Sequence, residues 1–315
     1  MGAALMSNAY DLPNCDINTR AVITNKSVLT PARSFGVFPT RFALERAIDM
    51  IAGRIGMEPA EVRRINLIRD LPYVTATGLN YDSGNWIGAY DLLLERIDLK
   101  YFRRRQATAL REGRYIGIGY GVGAETSGVA SDVLVPMENQ PGYGSATVRI
   151  DPRGTVGIFE GDAPQGQNHE TTMAQVAAHE FGIAPEDIAL ITGDTATTPL
   201  SSGTVGGRAG SSTASAVAAA CRVLKEKMAR FVAHDLKLGA TAEDFIFSNG
   251  DIAYVKDDNR RQRFHDGAKR IIMAPINMPP GESGGLEHTA YFEAAMQMFC
   301  FSAHAAMVEV DIEAG

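Results

Sequence analysis

One segment of the 315-residue chain, Gly161 to Thr195, restricts the possible folds more than any other. The strand-like run TVGIFEG ends at Gly161, and the amide-rich loop PQGQN follows it. A helix then begins near His169 and ends at Gly182, because glycine readily takes the left-handed conformation that terminates a helix. This order of strand, loop and helix predicts an α/β mixed (α+β) fold.

Helices and short strands alternate along much of the remaining chain. Apolar spacing predicts helices at about 39–56 and about 212–238. The predicted apolar residues are Phe42, Ala47, Ile48, Ile51 and Ile55 in the first helix, and Val217, Cys221, Leu224, Met228 and Phe231 in the second. Hairpin turns are predicted at 151–154 and at Asn249-Gly250. The run GIGYGVGA at 117–124 predicts a glycine-rich strand, because no amphipathic helix follows it as a dinucleotide-binding fingerprint requires.

The basic, polar run RRRQATALREGR near 103–114 is the best candidate for a domain boundary. We therefore expect two domains with mixed sheets flanked by helices, at 1–105 and 106–315. The last run, AAMVEVDIEAG, predicts a strand that leads into a turn with no returning strand. The second domain is thus expected to be truncated at its end, although an edge strand of a complete domain remains the alternative.

Composition excludes several classes of partner. A net charge of -7 argues against nucleic acid, since phosphate binding needs a basic surface. The cysteines Cys15, Cys221 and Cys300 are far apart, which indicates neither a disulfide framework nor a zinc site. The N-terminal sequence has no signal-peptide pattern, and no run is long enough to span a membrane, so we expect a cytoplasmic location.

Two loops could bind an anion. The first loop, PQGQN, offers three kinds of donor: the backbone N–H groups at the start of a helix, the side-chain amides of Gln165 and Gln167, and His169. The alternative is that this is only a capped helix with polar loop residues. In the second, at 201–215, glycines permit close backbone approach and Arg208 could pair with a phosphate; a flexible loop is the alternative. No metal ligands from protein side chains and no general acid-base pair stand out.

The runs PQGQNHETTMAQVAAHEFGI and GDTATTPLSSGTVGGR resemble the second molybdopterin-binding domain of the large subunits of xanthine dehydrogenase, aldehyde oxidase and carbon monoxide dehydrogenase. The earlier run TNKSVLTPARSFGVFPTRFALER resembles the family segment beside the molybdenum. The resemblance extends from about Tyr10 to Gly315 and indicates an internal, C-terminally truncated portion of such a subunit.

The resemblance implies the role of each site residue. The expected cofactor-binding residues are Gln165, Gly166, Gln167, His169, Asp194, Thr204 and Arg208. Arg33 and Phe35 would shape the substrate channel. The catalytic residue is unknown, because the family's general-base glutamate lies in a segment that this chain does not contain. The portion alone should therefore be inactive.

The resemblance also implies an activity. The complete enzyme would be a molybdenum oxidoreductase that hydroxylates an aldehyde or N-heterocycle carbon using water. Its cofactor would be molybdopterin in the cytosine dinucleotide form with molybdenum. The expected partners are an iron-sulfur subunit, a flavin subunit carrying FAD, the remainder of the large subunit and a small-molecule substrate, with no nucleic acid and no membrane.

Several residues depart from the family pattern. Asn168 replaces a glycine, while Gly207 and Ala209 replace serines whose hydroxyls would bond the pterin. Three alternatives remain open: a non-catalytic binding module that lost the pterin-binding serines, one piece of a split subunit, and a molybdenum-dependent hydratase relative.

Overall fold

The computed structural model describes residues 2–20, 22–27, 34, 36–131, 135 and 141–315. The chain forms two compact units, one made of Met1–Thr126 and Gln297–Gly315 and the other of Ser127–Met296. Both units combine helices with strands, which confirms the predicted mixed fold class. Within the described residues, no helix is both long and apolar enough to cross a membrane.

In the part of the first unit that the structure describes, there are four helices and two small sheets. The helices are α1 (Val37–Ile55), α2 (Pro59–Asn66), α3 (Trp86–Ile97) and α4 (Leu99–Arg111). One sheet pairs β1 (Tyr73–Val74) with β2 (Asn80–Tyr81), and the other pairs β3 (Tyr115–Gly128) with β11 (Met298–Val310). The last two residues of β3 belong to the second unit. An aromatic group built on Trp86, which stacks on Phe301 with ring centroids 5.2 Å apart, joins α3 to β11. The glycine-rich run at 117–124 lies within β3, so it is a strand, as predicted.

Helix α1 was predicted correctly, but its buried face was not. Of the five apolar residues expected to face the core, only Ile48 is buried; Phe42 is 71% exposed and Ile51 50% exposed. The buried positions are Val37, Glu45, Ile48 and Ala52. The correction has a physical reason: buried polar groups elsewhere in the unit bind Glu45, and this fixes the rotation of the helix.

The second unit contains a four-stranded and a three-stranded sheet. The larger sheet has the order β10-β4-β5-β6, formed by β4 (Gly144–Ile150), β5 (Val156–Glu160), β6 (Ile188–Thr192) and β10 (Glu287–Phe292). The smaller is formed by β7 (Phe245–Ser248), β8 (Asp251–Tyr254) and β9 (Asp257–Arg263). The described helices of this unit include α5 (His169–Phe181), α6 (Ala214–Asp235) and α7 (Phe264–Met273).

Helices pack on one face of the larger sheet. Alternate residues of β4 and β5, such as Val148 and Ile158, are fully buried in the core that also contains α6. The five residues predicted for one face of the second long helix, Val217, Cys221, Leu224, Met228 and Phe231, are all buried, which confirms that prediction. Because β4 and β5 alternate inward and outward side chains, this core fixes the register of the sheet.

Both predicted hairpins are present. Strands β4 and β5 pair antiparallel around the turn at 151–154. Asn249 and Gly250 join β7 to β8 with positive φ values of 52° and 75°, as a tight hairpin turn requires. The predicted boundary between residues 105 and 106 falls within α4 and stays a prediction about domain organisation.

Candidate functional site

The parallel pairing of β5 with β6 places two loop segments at one edge of the sheet. Glu160 lies opposite Thr192 at the carboxyl ends of these strands. The segments that begin at Gly161 and Gly193 therefore leave the sheet on the same side. In open sheets with parallel strands, this edge is where ligands usually bind.

The loop at 161–168 is bonded directly to the loop at 201–208. The Thr204 hydroxyl donates to the Ala163 carbonyl oxygen at 2.7 Å, and the Gln165 amide donates to the Thr204 carbonyl oxygen at 3.4 Å. A Cβ at Gly161 would lie 2.5 Å from the Pro199 oxygen, so only glycine permits this approach. The fold thus joins the two loops that were singled out in the sequence.

The rim of this loop pair offers donors to a ligand. Gln165, Gly166 and Gln167 are exposed, and Gly166 has a φ of 100° with open space where a side chain would stand. Asn168 precedes α5 with a φ of 62°, and its side chain makes no capping hydrogen bond. The first N–H groups of α5 therefore lack the usual side-chain acceptor, and such groups bind anions.

Asp194 lies on the same edge but turns to its own backbone. Its carboxylate accepts the N–H of Ala196 at 3.0 Å, and its carbonyl oxygen accepts the Thr198 N–H at 2.9 Å. These bonds hold a tight turn after β6. Asp194 is thus placed beside the loop pair with its side chain engaged in local structure.

Arg208 is fully buried beneath the loops rather than exposed at their rim. Its guanidinium donates to the Pro141 carbonyl oxygen at 3.3 Å and to the carbonyl oxygen of Tyr143. Asp162 Oδ1 is 3.9 Å away, beyond hydrogen-bonding distance. Burial lowers the pKa of Arg208, an effect that the nearby Asp162 opposes. Most of the hydrogen-bonding capacity of the Arg208 guanidinium is therefore used by groups of the chain itself.

His169 is buried as well, and its partners were missed from the sequence. Its Nδ1 lies 2.9 Å from Glu160 Oε1 and 3.2 Å from the Asp162 carbonyl oxygen. Glu160 and Asp162 are both fully buried. One sequence signal could have identified Glu160: it continues the inward alternation of Val156 and Ile158, where an apolar residue is expected.

The predicted substrate-channel residues, Arg33 and Phe35, lie outside the described residues. The remaining predicted residues, Gln165, Gly166, Gln167, His169, Asp194, Thr204 and Arg208, are all found at or beneath the same sheet edge. Their roles towards a ligand stay predictions.

Comparison with known proteins identifies related chains. A profile described as a molybdopterin cofactor-binding domain matches residues 92–315, and a second of the same description matches 1–67. The nicotine 6-hydroxylase large subunit of Paenarthrobacter nicotinovorans is 30% identical over 310 residues, covering 98% of this chain and 38% of that protein. The carbon monoxide dehydrogenase large chain of Hydrogenophaga pseudoflava is 31% identical over 319 residues, covering 99% and 39%.

The structure of quinoline 2-oxidoreductase from Pseudomonas putida 86 is similar throughout, with a TM-score of 0.89 at 30% identity over 98% of this chain and 39% of that one. The chain therefore spans about two fifths of the length of these relatives.

Proposed function

The chain belongs to the family of molybdopterin cofactor-binding domains, and from this premise we propose that it forms the cofactor-binding part of a molybdenum hydroxylase. The proposed enzyme oxidises a carbon of an aldehyde or an N-heterocycle, with oxygen from water. The names of two relatives, a nicotine hydroxylase and a quinoline oxidoreductase, support the N-heterocycle class. The bound cofactor would supply the redox chemistry, while this chain's residues bind and orient it.

The observation that carries this proposal is the direct joining of the 161–168 and 201–208 loops at the edge where β5 and β6 end. Gln165 and Thr204 are 39 residues apart in the sequence, yet their hydrogen bond makes the two loops one surface. A surface assembled in this way can contact several groups of one large ligand at once.

The donors on this surface fit a ligand with phosphate and polar ring edges. The amides of Gln165 and Gln167 can both donate and accept, as a pterin edge requires. The uncapped N-terminus of α5 favours an anionic group. Gly166 and Gly203 leave open space for close approach. Thr204 would act through the bond that holds the loops together, and Asp194 through the turn that it stabilises.

Arg208, which is buried beneath the two loops, would support this surface without being exposed on it. Support comes from its contacts with Pro141, Tyr143 and Ser201, which connect the 201–208 loop to the start of β4. Its Nε is buried without a hydrogen-bond partner among the described residues. We infer that the arginine shapes the cofactor loop through these contacts.

The finer assignments extend the same proposal. The cofactor would be the cytosine dinucleotide form, and electrons would pass to iron-sulfur clusters and FAD on partner subunits. Arg33 and Phe35 would line the substrate channel, and the general-base glutamate would come from the rest of the large subunit. The cytoplasmic location expected from the sequence stays a prediction.

The test is the molybdenum and nucleotide content of the full-length protein, co-expressed with its neighbouring genes. Near-stoichiometric molybdenum, with a cytosine nucleotide released on denaturation, is expected. Absence of molybdenum with every partner present would refute the proposal, whereas release of a different nucleotide would refute only the cytosine form.

A further inference from the structure

A carboxylate occupies a core position beneath the proposed cofactor loops. Glu160, the last residue of β5, points to the same face as Val156 and Ile158 and is fully buried. Its Oε2 has no hydrogen-bond partner among the described residues. A buried ionisable group is costly to maintain, so its presence at this position points to a role other than packing.

Ionised Glu160 fixes the tautomer of His169. The Nδ1 atom of His169 faces two acceptors, Glu160 Oε1 at 2.9 Å and the Asp162 carbonyl oxygen at 3.2 Å. Because neither oxygen can donate when Glu160 is ionised, Nδ1 carries the proton. His169 is also the first residue of α5. The Glu160–His169 bond therefore sets the orientation of the helix start that borders the exposed loop.

Asp162 connects the same loop to the other side of the site. Its two carboxylate oxygens accept the hydroxyls of Ser201 and Thr213. Ser201 in turn accepts from the Arg208 guanidinium at 3.3 Å. The buried cluster of Glu160, Asp162, His169 and Arg208 thus runs continuously beneath both cofactor loops.

The charges of this cluster do not balance. With Glu160, Asp162 and Arg208 ionised and His169 neutral, one negative charge is in excess. The groups that face the Glu160 carboxyl are His169 and Glu170 of α5 and Asp162. Burial raises the pKa of Glu160 to about 7, although the His169 hydrogen bond lowers it. One proton in addition to the one on Nδ1, held jointly by Glu160 and His169 and called the shared proton below, would neutralise the cluster.

We propose that Glu160 is a positioning residue that shares one proton with His169 and thereby holds the 161–168 loop and the first turn of α5 in the cofactor-binding conformation. This inference rests on the proposed function. Glu160 does not contact the cofactor; it acts through His169. Loss of the shared proton at higher pH leaves a buried negative charge and loosens the loop.

The test compares three variants of the full-length protein, purified with its partner subunits. Molybdenum content, the rate of cofactor release into buffer and the unfolding temperature are measured for each. Glu160→Ala removes the nearer of the two acceptors of His169 Nδ1 and should speed release roughly tenfold. Glu160→Gln keeps an acceptor oxygen and should retain cofactor within about twofold of wild type. Glu180→Gln is the control, because Glu180 is an ion-paired carboxylate at the other end of α5.

The pH profile separates positioning from simple structural support. Wild-type release should accelerate between about pH 6 and pH 8 as the shared proton is lost, and Glu160→Gln should show a flat profile. Glu160→Gln also keeps the test decisive if Glu160→Ala does not fold.

Any one of three results would overturn the inference. Glu160→Ala could release cofactor at the wild-type rate, the two Glu160 variants could lose molybdenum equally, or wild type and Glu160→Gln could show the same pH profile of cofactor release. If any of these results is obtained while the wild-type protein holds its full molybdenum content, only this inference fails. If the wild type itself holds no molybdenum, the proposed function fails and this inference fails with it.

Discussion

Among the described residues, each unit buries one arginine completely, but the two arginines differ in how well they are partnered. Arg63, in the first unit, donates to Glu45 Oε2 at 2.7 Å and lies 2.8 Å from Asp49 Oδ1. Arg208, in the second, donates chiefly to backbone carbonyl oxygens, and the Asp162 carboxylate is 3.9 Å away. The first is a complete ion pair, whereas the second is a partly satisfied cluster.

The two pKa shifts point in opposite directions. Burial acts to lower the pKa of Arg63, but the hydrogen bond and charge of Glu45 outweigh it, and the pKa is raised. Burial dominates at Arg208, and its pKa is lowered. The contacts of Arg63 connect two helices of the fold, whereas incompletely matched polar groups beside open loops are a common feature of binding sites.

The largest effect is expected at Arg63. Arg63→Met leaves Glu45 buried without its positively charged partner and should cost about 3–5 kcal/mol of unfolding free energy. Thermal and denaturant unfolding of the full-length protein measure this loss. Adding Glu45→Gln should recover part of it, because the uncompensated charge is then gone. A loss below about 1 kcal/mol would show that the pair does not support the fold.

The same substitution at Arg208 should be milder for stability and more severe for the cofactor. Arg208→Met breaks bonds to carbonyl oxygens and should cost about 1–3 kcal/mol. Molybdenum per folded molecule should fall clearly. Wild-type molybdenum content in this variant would remove Arg208 from the proposed cofactor site.

Glu160 provides a pH test of the second unit. Burial raises the pKa of Glu160 from 4.5 to about 7, so the native state holds this proton more tightly than the unfolded chain. The contribution to stability is present below the unfolded pKa and is lost as the pH rises towards the folded pKa. Between about pH 5 and pH 7.5, Glu160→Gln should therefore gain stability relative to wild type, by on the order of 3 kcal/mol at most. Parallel unfolding curves at all pH values would contradict this.

The smallest change in stability is expected at the exposed rim. Gln167→Ala should alter the unfolding free energy by less than about 0.5 kcal/mol, because Gln167 is exposed. Cofactor release should nevertheless become faster, since the variant loses an amide that we propose donates to the cofactor. Release at the wild-type rate would exclude Gln167 from the binding surface.

Local patterns predicted the second unit well. The α5 start and its Gly182 end, the apolar face of α6 and both hairpins follow from residues close in sequence. The joining of the 161–168 and 201–208 loops was implied only by the family resemblance, because it depends on contacts between distant residues. Physical patterns alone left each loop with a simpler alternative.

Long-range polar contacts explain what the sequence pattern missed. Apolar spacing suggested that Phe42 and Ile51 face the core, but the bonds of Glu45 to Tyr10 and Arg63 turn α1 so that these residues are exposed. Asp162 gave no periodic signal because it lies in a loop and becomes buried through Ser201 and Thr213. Burial of a polar residue depends on partners that a single segment does not contain.

Molybdenum per folded molecule, measured side by side in the wild-type, Arg63→Met and Arg208→Met full-length proteins, tests most directly whether the second unit carries the cofactor surface. We expect near-stoichiometric molybdenum in the wild type and in the folded fraction of Arg63→Met, with a marked loss in Arg208→Met. Full molybdenum in Arg208→Met together with a loss in folded Arg63→Met would contradict the placement of the cofactor surface on the second unit.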